Sequence, residues 1–287
     1  MNYISLENHE NTPLEDDNFQ FNCFAITDAE TLPHWHNHTE IIYLQRGACT
    51  VYINGTLFNA HEGDILLVIH GNLHSIIPQE SAKYYALVLG DTLFDALMID
   101  QHCDTTLRPF LSDSSQRPLH FTSKNDGYPI LLSLLTTVIT ENSEKKEGYQ
   151  LFIKMSICRF FAQILRFSPY LINSQAASHQ QSNNTRIIKK ALEYLSLHYK
   201  EKILLADLSF HFSLSIQHFC RLFKGYTGKT FSDFLSDLRL DHANRLLLET
   251  DLPITQIPEL VGICNSNYFA RIYKRKYGIS PSKRRKG

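Results

Sequence analysis

The sequence lacks a long apolar run, a closely spaced cysteine pair and the start of a secretory signal. No apolar stretch reaches the roughly 20 residues that a membrane-spanning helix needs, and residues 1–10 are polar and acidic rather than basic and then apolar. We therefore expect a cytoplasmic protein without a membrane partner. The six cysteines include no Cys-x-x-Cys pair, which argues against a zinc ribbon and gives no disulfide framework.

An excess of one charge is also missing from the chain as a whole, since the formal net charge is only −1. The two parts of the chain nevertheless differ. Residues 184–287 contain 18 Lys and Arg against 9 Asp and Glu, whereas residues 1–183 contain 10 basic and 20 acidic side chains. This asymmetry predicts a polyanionic partner for the C-terminal part alone and makes that part the place to look for DNA contacts.

The N-terminal part has the pattern of short β-strands. Five runs rich in β-forming residues occupy 19–26, 40–44, 49–53, 65–69 and 83–89. Asn54-Gly55 lies between two apolar runs and is a strong hairpin signal, and Gly47, Gly63 and Gly71 predict further turns. Closely spaced short strands of this kind predict a sandwich or a barrel.

A helical pattern begins at about Tyr128. Apolar residues recur at helical spacing to about residue 168, with a polar break over 141–148, which predicts a helical hairpin. Both helices are unusually apolar, so packing within the chain and packing against a second subunit both stay open. Residues 173–184 have almost no apolar side chains and are predicted to be a flexible tether.

Two helix-turn-helix units are predicted beyond the tether, over about 204–225 and 252–275. One long helix from Thr230 to Glu249 separates them. In the second unit, Thr255 is a candidate cap of the first helix, and Gly262 allows the turn.

The second helix of each unit has two faces. Ser215 and Asn265 are the predicted N-caps of these helices. Aromatic residues at i and i+4 face the support helix: Phe219 and Phe223 in the first unit, Phe269 and Tyr273 in the second. The opposite face must present polar side chains to a major groove about 12 Å wide, where amides read adenine, arginine reads guanine and lysine contacts phosphate. The predicted DNA-binding residues are Gln217, His218, Arg221, Lys224, Ser266, Asn267, Arg271, Lys274 and Arg275.

Three motifs extend this pattern. They are Ser215-x3-Phe219-x-Arg221-x-Phe223-Lys224-x3-Gly228, then Leu235-x2-Leu238-Arg239-x3-Ala243-x2-Leu246-Leu247, then Ile257-x4-Gly262-x5-Tyr268-Phe269-x-Arg271-x-Tyr273-Lys274-x3-Gly278-x-Ser280-Pro281. Together they resemble the AraC/XylS family of bacterial transcription regulators over nearly all of residues 186–285. The resemblance implies two subdomains that read nearby major-groove segments on one face of DNA. Pro258 departs from the family's usual small residue, and Phe212-Ser213 replaces a frequent corner glycine.

Two N-terminal motifs resemble those of the cupin family. They are His34-x-His36-x3-Glu40-x6-Gly47 and Gly63-x7-Gly71-x2-His74, with Ile69 where proline is usual. His34, His36 and Glu40 share parity and point to one face of a strand. With Trp35 and His74 they are the predicted ligand-binding residues, and we expect direct contact with an effector, without a metal or other cofactor. A site with three histidines, one carboxylate and a metal ion stays open as the alternative.

The sequence thus predicts an α+β protein in three parts. Residues 1–172 form a cupin-like β-barrel with a helical hairpin for effector binding and dimerisation, 173–184 the tether, and 185–287 an all-α DNA-binding domain. The predicted function is a sequence-specific transcription regulator rather than an enzyme. We expect a homodimeric activator controlled by a small molecule, a carbohydrate by family analogy, with RNA polymerase as a further partner. The alternative is a cupin-type metalloenzyme with a helical appendage.

Overall fold

The computed structural model describes Leu14, residues 19–90, Leu93, residues 119–167 and residues 179–286. They form two compact units, and the second unit begins at Arg186. Within this part of the chain, no helix has both the length and the apolar character to cross a membrane.

The first unit is built on one antiparallel sheet. Its strands are β1 (Phe21–Thr27), β2 (Thr31–His34), β3 (Thr39–Ile53), β4 (Thr56–His61), β5 (Ile65–Val68), β6 (His74–Leu89) and β7 (Leu119–Phe121). The order is β1-β6-β3-β5-β7, with β2 paired to β6 and β4 paired to β3. Asn54-Gly55 closes the β3–β4 hairpin and Gly63 and Gly71 lie in turns, which confirms these predictions.

The predicted turn at Gly47 is wrong, because residues 39–53 form the single strand β3. Gly47 has a φ of 81°, and the pairing of β3 with β6 shifts register between Leu44 and Cys49. Such a β-bulge bends a strand without ending it. The long strand β3 consequently pairs with β5 along its first part and with β4 along its last part.

Apolar side chains cover both faces of the sheet. One face packs on helices α1 (Tyr128–Glu144) and α2 (Tyr149–Phe167), where it forms a core with Ile157 and Phe161. Ile41 lies in this core, whereas its neighbour Ile42 lies in a second core between strands, as the two-residue period of a strand requires. The predicted cupin-like domain with its helical hairpin is confirmed.

The second unit is helical. It contains most of helix α3 (His179–His198), whose first residues precede Arg186. It also contains α4 (Leu205–His211), α5 (Ile216–Thr227), α6 (Phe231–Glu249), α7 (Ile257–Leu260), α8 (Ser266–Tyr277) and α9 (Pro281–Lys286). Helix α3 begins at His179, so residues 179–184 of the predicted tether are helical, while residues 173–178 lie outside the described residues. The reason is that extending a helix past its nucleus costs little per residue, even through glutamine and asparagine.

The corner of the first helix-turn-helix unit is made without glycine. Ser213 adopts a φ of 55°, and the backbone N–H of Leu214 donates to the carbonyl of Ser209 at 2.9 Å. A left-handed serine costs about 1 kcal/mol, which the surrounding packing must offset.

Helix α7 of the second unit begins later than predicted. Its N-cap is Gln256 rather than Thr255, and Gln256 makes no side-chain cap hydrogen bond. Pro258 lies in the first turn, where its missing N–H interrupts no intrahelical bond. Its carbonyl accepts a hydrogen bond of 2.7 Å from the N–H of Ile263, which closes the turn after α7.

Gly262 is required at the second corner for two reasons. Its φ is 79°, and a Cβ added there would lie 2.5 Å from the carbonyl oxygen of Lys200.

We expect Gly262→Ala to lower the free energy of unfolding by roughly 1–3 kcal/mol, measured by urea denaturation of the full chain with circular dichroism. Gly278→Ala is the matched control, since φ is 74° but no described atom lies within 4 Å of its Cβ. Equal losses in both variants would contradict the role of the close approach.

Candidate DNA-binding surface and effector site

Helices α5 and α8, the recognition helices, begin in the same way. The Oγ of Ser215 accepts a hydrogen bond from the backbone N–H of His218 at 3.2 Å. The Oδ1 of Asn265 accepts one from the N–H of Tyr268 at 2.9 Å. Both helices contain 12 residues and end at a glycine in the left-handed conformation. The predicted caps are confirmed, and the two helices are structural copies of each other.

The buried face of α5 is aromatic. Phe219 and Phe223 are both 0% exposed. The ring of Phe223 makes edge contacts with Phe231 and Phe234 of α6, at centroid distances of 5.9 and 5.5 Å. Burial of each ring stabilises the unit by roughly 1.5–3 kcal/mol, and the packing fixes which side of α5 faces solvent.

Helix α8 adds a hydrogen bond to the same arrangement. Phe269 and Tyr273 are buried, and the hydroxyl of Tyr273 donates to Oδ1 of Asn244 on α6 at 2.6 Å. Burial raises the pKa of Tyr273 to about 12, so the hydroxyl keeps its proton and remains a donor. Phe223, at the aligned position of α5, has no hydroxyl for such a bond.

The predicted DNA-binding residues all lie on the exposed faces of these two helices. They are Gln217, His218, Arg221 and Lys224 on α5, and Ser266, Asn267, Arg271, Lys274 and Arg275 on α8. Their arginine and lysine side chains form no ion pair with any other residue that the structure describes. They are therefore available to a polyanion.

Other basic side chains of this unit are used internally, and sequence reasoning did not separate them from the surface set. Lys276 forms an ion pair of 2.7 Å with Asp241 on α6. Arg239 donates from Nε and Nη2 to the carbonyls of Tyr199 and Glu201, each at 2.7 Å. These cations stabilise the fold of the unit through internal contacts and are not part of its exposed basic surface.

Four of the predicted effector residues meet in the first unit. His34, His36, Glu40 and His74 are buried, and their candidate ligand atoms lie within 4.8 Å of one another. Nε2 of His36 and Nε2 of His74 lie 2.9 and 3.0 Å from Oε2 of Glu40. His34 pairs with His74 across β2 and β6. Glu40 lies at the start of β3 opposite Val68 of β5, and residues 69–73 lead from that end of β5 to His74. We call this set the His/Glu cluster.

A backbone carbonyl holds each histidine ring of the cluster. Nδ1 lies 2.9 Å from the Leu32 oxygen in His34, 3.2 Å from the His38 oxygen in His36 and 2.9 Å from the Asn72 oxygen in His74. A carbonyl accepts only, so Nδ1 of each ring carries a proton. Nε2 then presents a lone pair in a ring that is neutral and a second N–H donor in a ring that is charged. The same outer contacts orient histidines that bind metal ions.

Burial and mutual contact set the charges within the cluster. Burial lowers the pKa of His34 well below its usual value, and His74 and His36 lower it further. Burial opposes ionisation of Glu40, but the charge of His74 and the hydrogen bonds from His36 and His74 outweigh it and hold the Glu40 pKa well below its usual range. The cluster therefore presents a carboxylate among imidazoles.

Trp35, the fifth predicted effector residue, lies in the core. Its side chain is 5% exposed. This burial is comparable to that of the four residues of the His/Glu cluster, which are 0–7% exposed.

Comparisons with known proteins match both units. The model of the AraC-like ligand binding domain matches residues 25–151, and that of a helix-turn-helix domain matches residues 208–287. The HTH-type transcriptional regulator YdeC of Bacillus subtilis is 22% identical over 86% of this chain and 84% of its own length. YdiP of Escherichia coli, with the same description, is 26% identical over 90% and 83%.

Among solved structures, ToxT from Vibrio cholerae with a bound unsaturated fatty acid aligns over 95% of this chain and 96% of its own, at 12% identity and a TM-score of 0.41. The predicted family and function rest instead on the two domain models and on the relatives, which are transcriptional regulators by name. The chain therefore belongs to the AraC family of transcriptional regulators, with an AraC-like ligand-binding domain ahead of a helix-turn-helix DNA-binding domain.

Proposed function

We propose that this regulator inserts α5 and α8 into two nearby major-groove segments of double-stranded DNA. The observation that supports this proposal is that the two helices are built alike. Each has a side-chain N-cap, buried aromatic residues at the same positions and an exposed polar face. Such a helix in the major groove places its N-terminal residues against base edges.

The exposed residues divide by chemistry into base readers and phosphate contacts. Gln217 and Asn267 have the amide groups that pair with adenine, and Arg221 and Arg271 have the fork that pairs with guanine. His218 and Ser266, near the helix starts, complete the base-facing set. Lys224, Lys274 and Arg275 lie one or two turns later, toward the phosphates that flank the groove.

The N-terminal domain supplies the control. A small molecule binds at the His/Glu cluster and changes DNA affinity, which requires different affinities of that molecule for two arrangements of the chain. We retain a carbohydrate effector, transcriptional activation with contact to RNA polymerase, and action in the cytoplasm as parts of this proposal, supported by family analogy alone.

A second candidate for the cluster is a divalent transition-metal ion, and a specific observation favours it. Three Nε2 lone pairs and one carboxylate converge within 4.8 Å, a donor set that suits zinc or iron at bonds of about 2.0–2.2 Å. The observed contacts also need protons. Because Nδ1 of each ring already carries one, Nε2 of His36 and of His74 can donate to Glu40 only if the ring carries a second proton and is therefore positively charged. A cation bound between these atoms would replace those protons, and it would contribute Lewis acidity and charge to effector recognition.

The homodimer is proposed to form through α2. The inner face of this helix is buried in the core, but Leu151, Phe152 and Met155 are 55–63% exposed. They lie on one stripe of the helix, since residues four apart share a face. An apolar stripe of this kind is typical of a helix that packs against a second copy.

The DNA assignment predicts different effects of two kinds of substitution. We expect Arg221→Ala and Arg271→Ala each to weaken binding to a selected site by roughly 1–3 kcal/mol and to relax specificity at one position. Lys274→Ala should weaken binding to all sequences alike, because a phosphate carries no sequence information. Gel shifts with the selected and a scrambled duplex measure both effects.

Arg245→Ala is the control for these variants, since Arg245 is an exposed cation on α6 whose partner is Glu249. Its binding should match that of the wild type. Equal specificity profiles for the wild type and Arg221→Ala would contradict the assignment.

The metal candidate is tested by elemental analysis of the purified full chain. We expect about one transition-metal ion per chain, a loss of that ion in Glu40→Gln and His74→Ala, and a lower melting temperature after chelation, because an ion that binds only the folded state stabilises it. His61→Ala, at an exposed histidine of β4, should keep the ion. If the wild type holds far less than one ion per chain, the metal candidate is rejected. The proposal that the effector contacts the cluster directly then remains.

The dimer proposal predicts that one charge on the stripe separates the subunits. We expect a dimer for the wild type and a monomer for Met155→Glu in sedimentation equilibrium, because a carboxylate in an apolar interface is costly to desolvate. Ser133→Glu places the same charge on an exposed position of α1 and should remain dimeric. A dimeric Met155→Glu protein would exclude this stripe as the interface.

A further inference from the structure

The two recognition helices differ at one outward position that their shared construction makes directly comparable. His218 of α5 and Tyr268 of α8 both donate their backbone N–H to the N-cap side chain. Their Cα atoms therefore occupy equivalent places in the two units. Both side chains are exposed, with Tyr268 at 42%.

Tyr268 contacts an arginine on the DNA-facing side of its helix. The guanidinium carbon of Arg271 lies 5.5 Å from the centroid of the Tyr268 ring, within the range of a cation–π contact. The two residues are three apart and are neighbours on the helix surface. In the first unit, the equivalent pair is His218 and Arg221, and the described residues include no ring contact to the guanidinium of Arg221.

A free arginine side chain loses rotamer freedom when it docks on a base, and that loss weakens binding. A ring that already holds the guanidinium reduces the loss. Helix α8 also has the hydrogen bond of Tyr273 to Asn244 on α6, for which Phe223 at the aligned position of α5 has no hydroxyl. In the second unit, a ring contact holds the arginine side chain and a hydrogen bond holds the helix that carries it. The aligned positions of the first unit show neither contact among the described residues.

We propose that Tyr268 is a positioning residue for Arg271, and that the second helix-turn-helix unit therefore discriminates between bases more sharply than the first. This inference rests on the proposed DNA contacts and deepens them. It assigns unequal roles to two units that the aligned sequence treats as equivalent.

The test uses the full chain and a random-sequence duplex pool. After selection of the wild-type site, competition with singly substituted duplexes measures discrimination at each base pair. We expect Tyr268→Leu to reduce discrimination at the base pair assigned to Arg271 by about two- to fivefold, the size of an exposed cation–π contact. Discrimination at the Arg221 position and the affinity for non-specific DNA should not change.

Two further variants separate positioning from a structural role. Tyr268→Phe keeps the ring and should retain wild-type discrimination, since the hydroxyl is not part of the contact. His218→Tyr introduces the ring into α5 and should sharpen discrimination at the Arg221 position. Unchanged discrimination in Tyr268→Leu, or an equal loss at every position, would overturn the inference and leave the DNA assignment intact. Failure of the wild type to select any sequence would overturn both.

Discussion

The DNA-binding half depends on the burial of two aromatic rings, one helical turn apart, beneath each recognition helix. Phe219 and Phe223 pack against α6 in the first unit, and Phe269 and Tyr273 are buried in the second. Because an α-helix is rigid, fixing one face determines where every other side chain on it points. The outward direction of Arg221 and Lys224 therefore follows from the apolar contacts on the opposite side of the helix.

The basic side chains of the DNA-binding domain serve two purposes, which the net charge of the sequence does not distinguish. Some cations complete the fold: Lys276 neutralises Asp241, and Arg239 satisfies two backbone carbonyls. The recognition helices hold a second group of cations, which form no ion pair with any of the described residues. An excess of basic residues therefore overstates the charge that DNA encounters.

The N-terminal domain buries a polar cluster, the His/Glu cluster, in its interior. The imidazoles and the carboxylate satisfy one another and nearby carbonyls, which offsets much of the cost of their burial. An interaction that changes any one member disturbs the rest. This coupling suits a site that must respond to an incoming ligand. Two of the strands that carry the cluster, β3 and β6, also contribute side chains to the core on which the helical hairpin packs.

The sequence by itself determined the features that depend on near neighbours along the chain. These features are helical periodicity, the caps Ser215 and Asn265 and the glycine turns. The motifs also extend over a stretch of chain long enough to identify the family. Only the tertiary structure decided features that need partners distant in sequence. Strand register placed Gly47 in a bulge, burial placed Trp35 in the core, and long-range packing selected which cations remain on the surface. The physical reason is that register and burial are collective properties of the folded chain, whereas capping and periodicity act within a few residues.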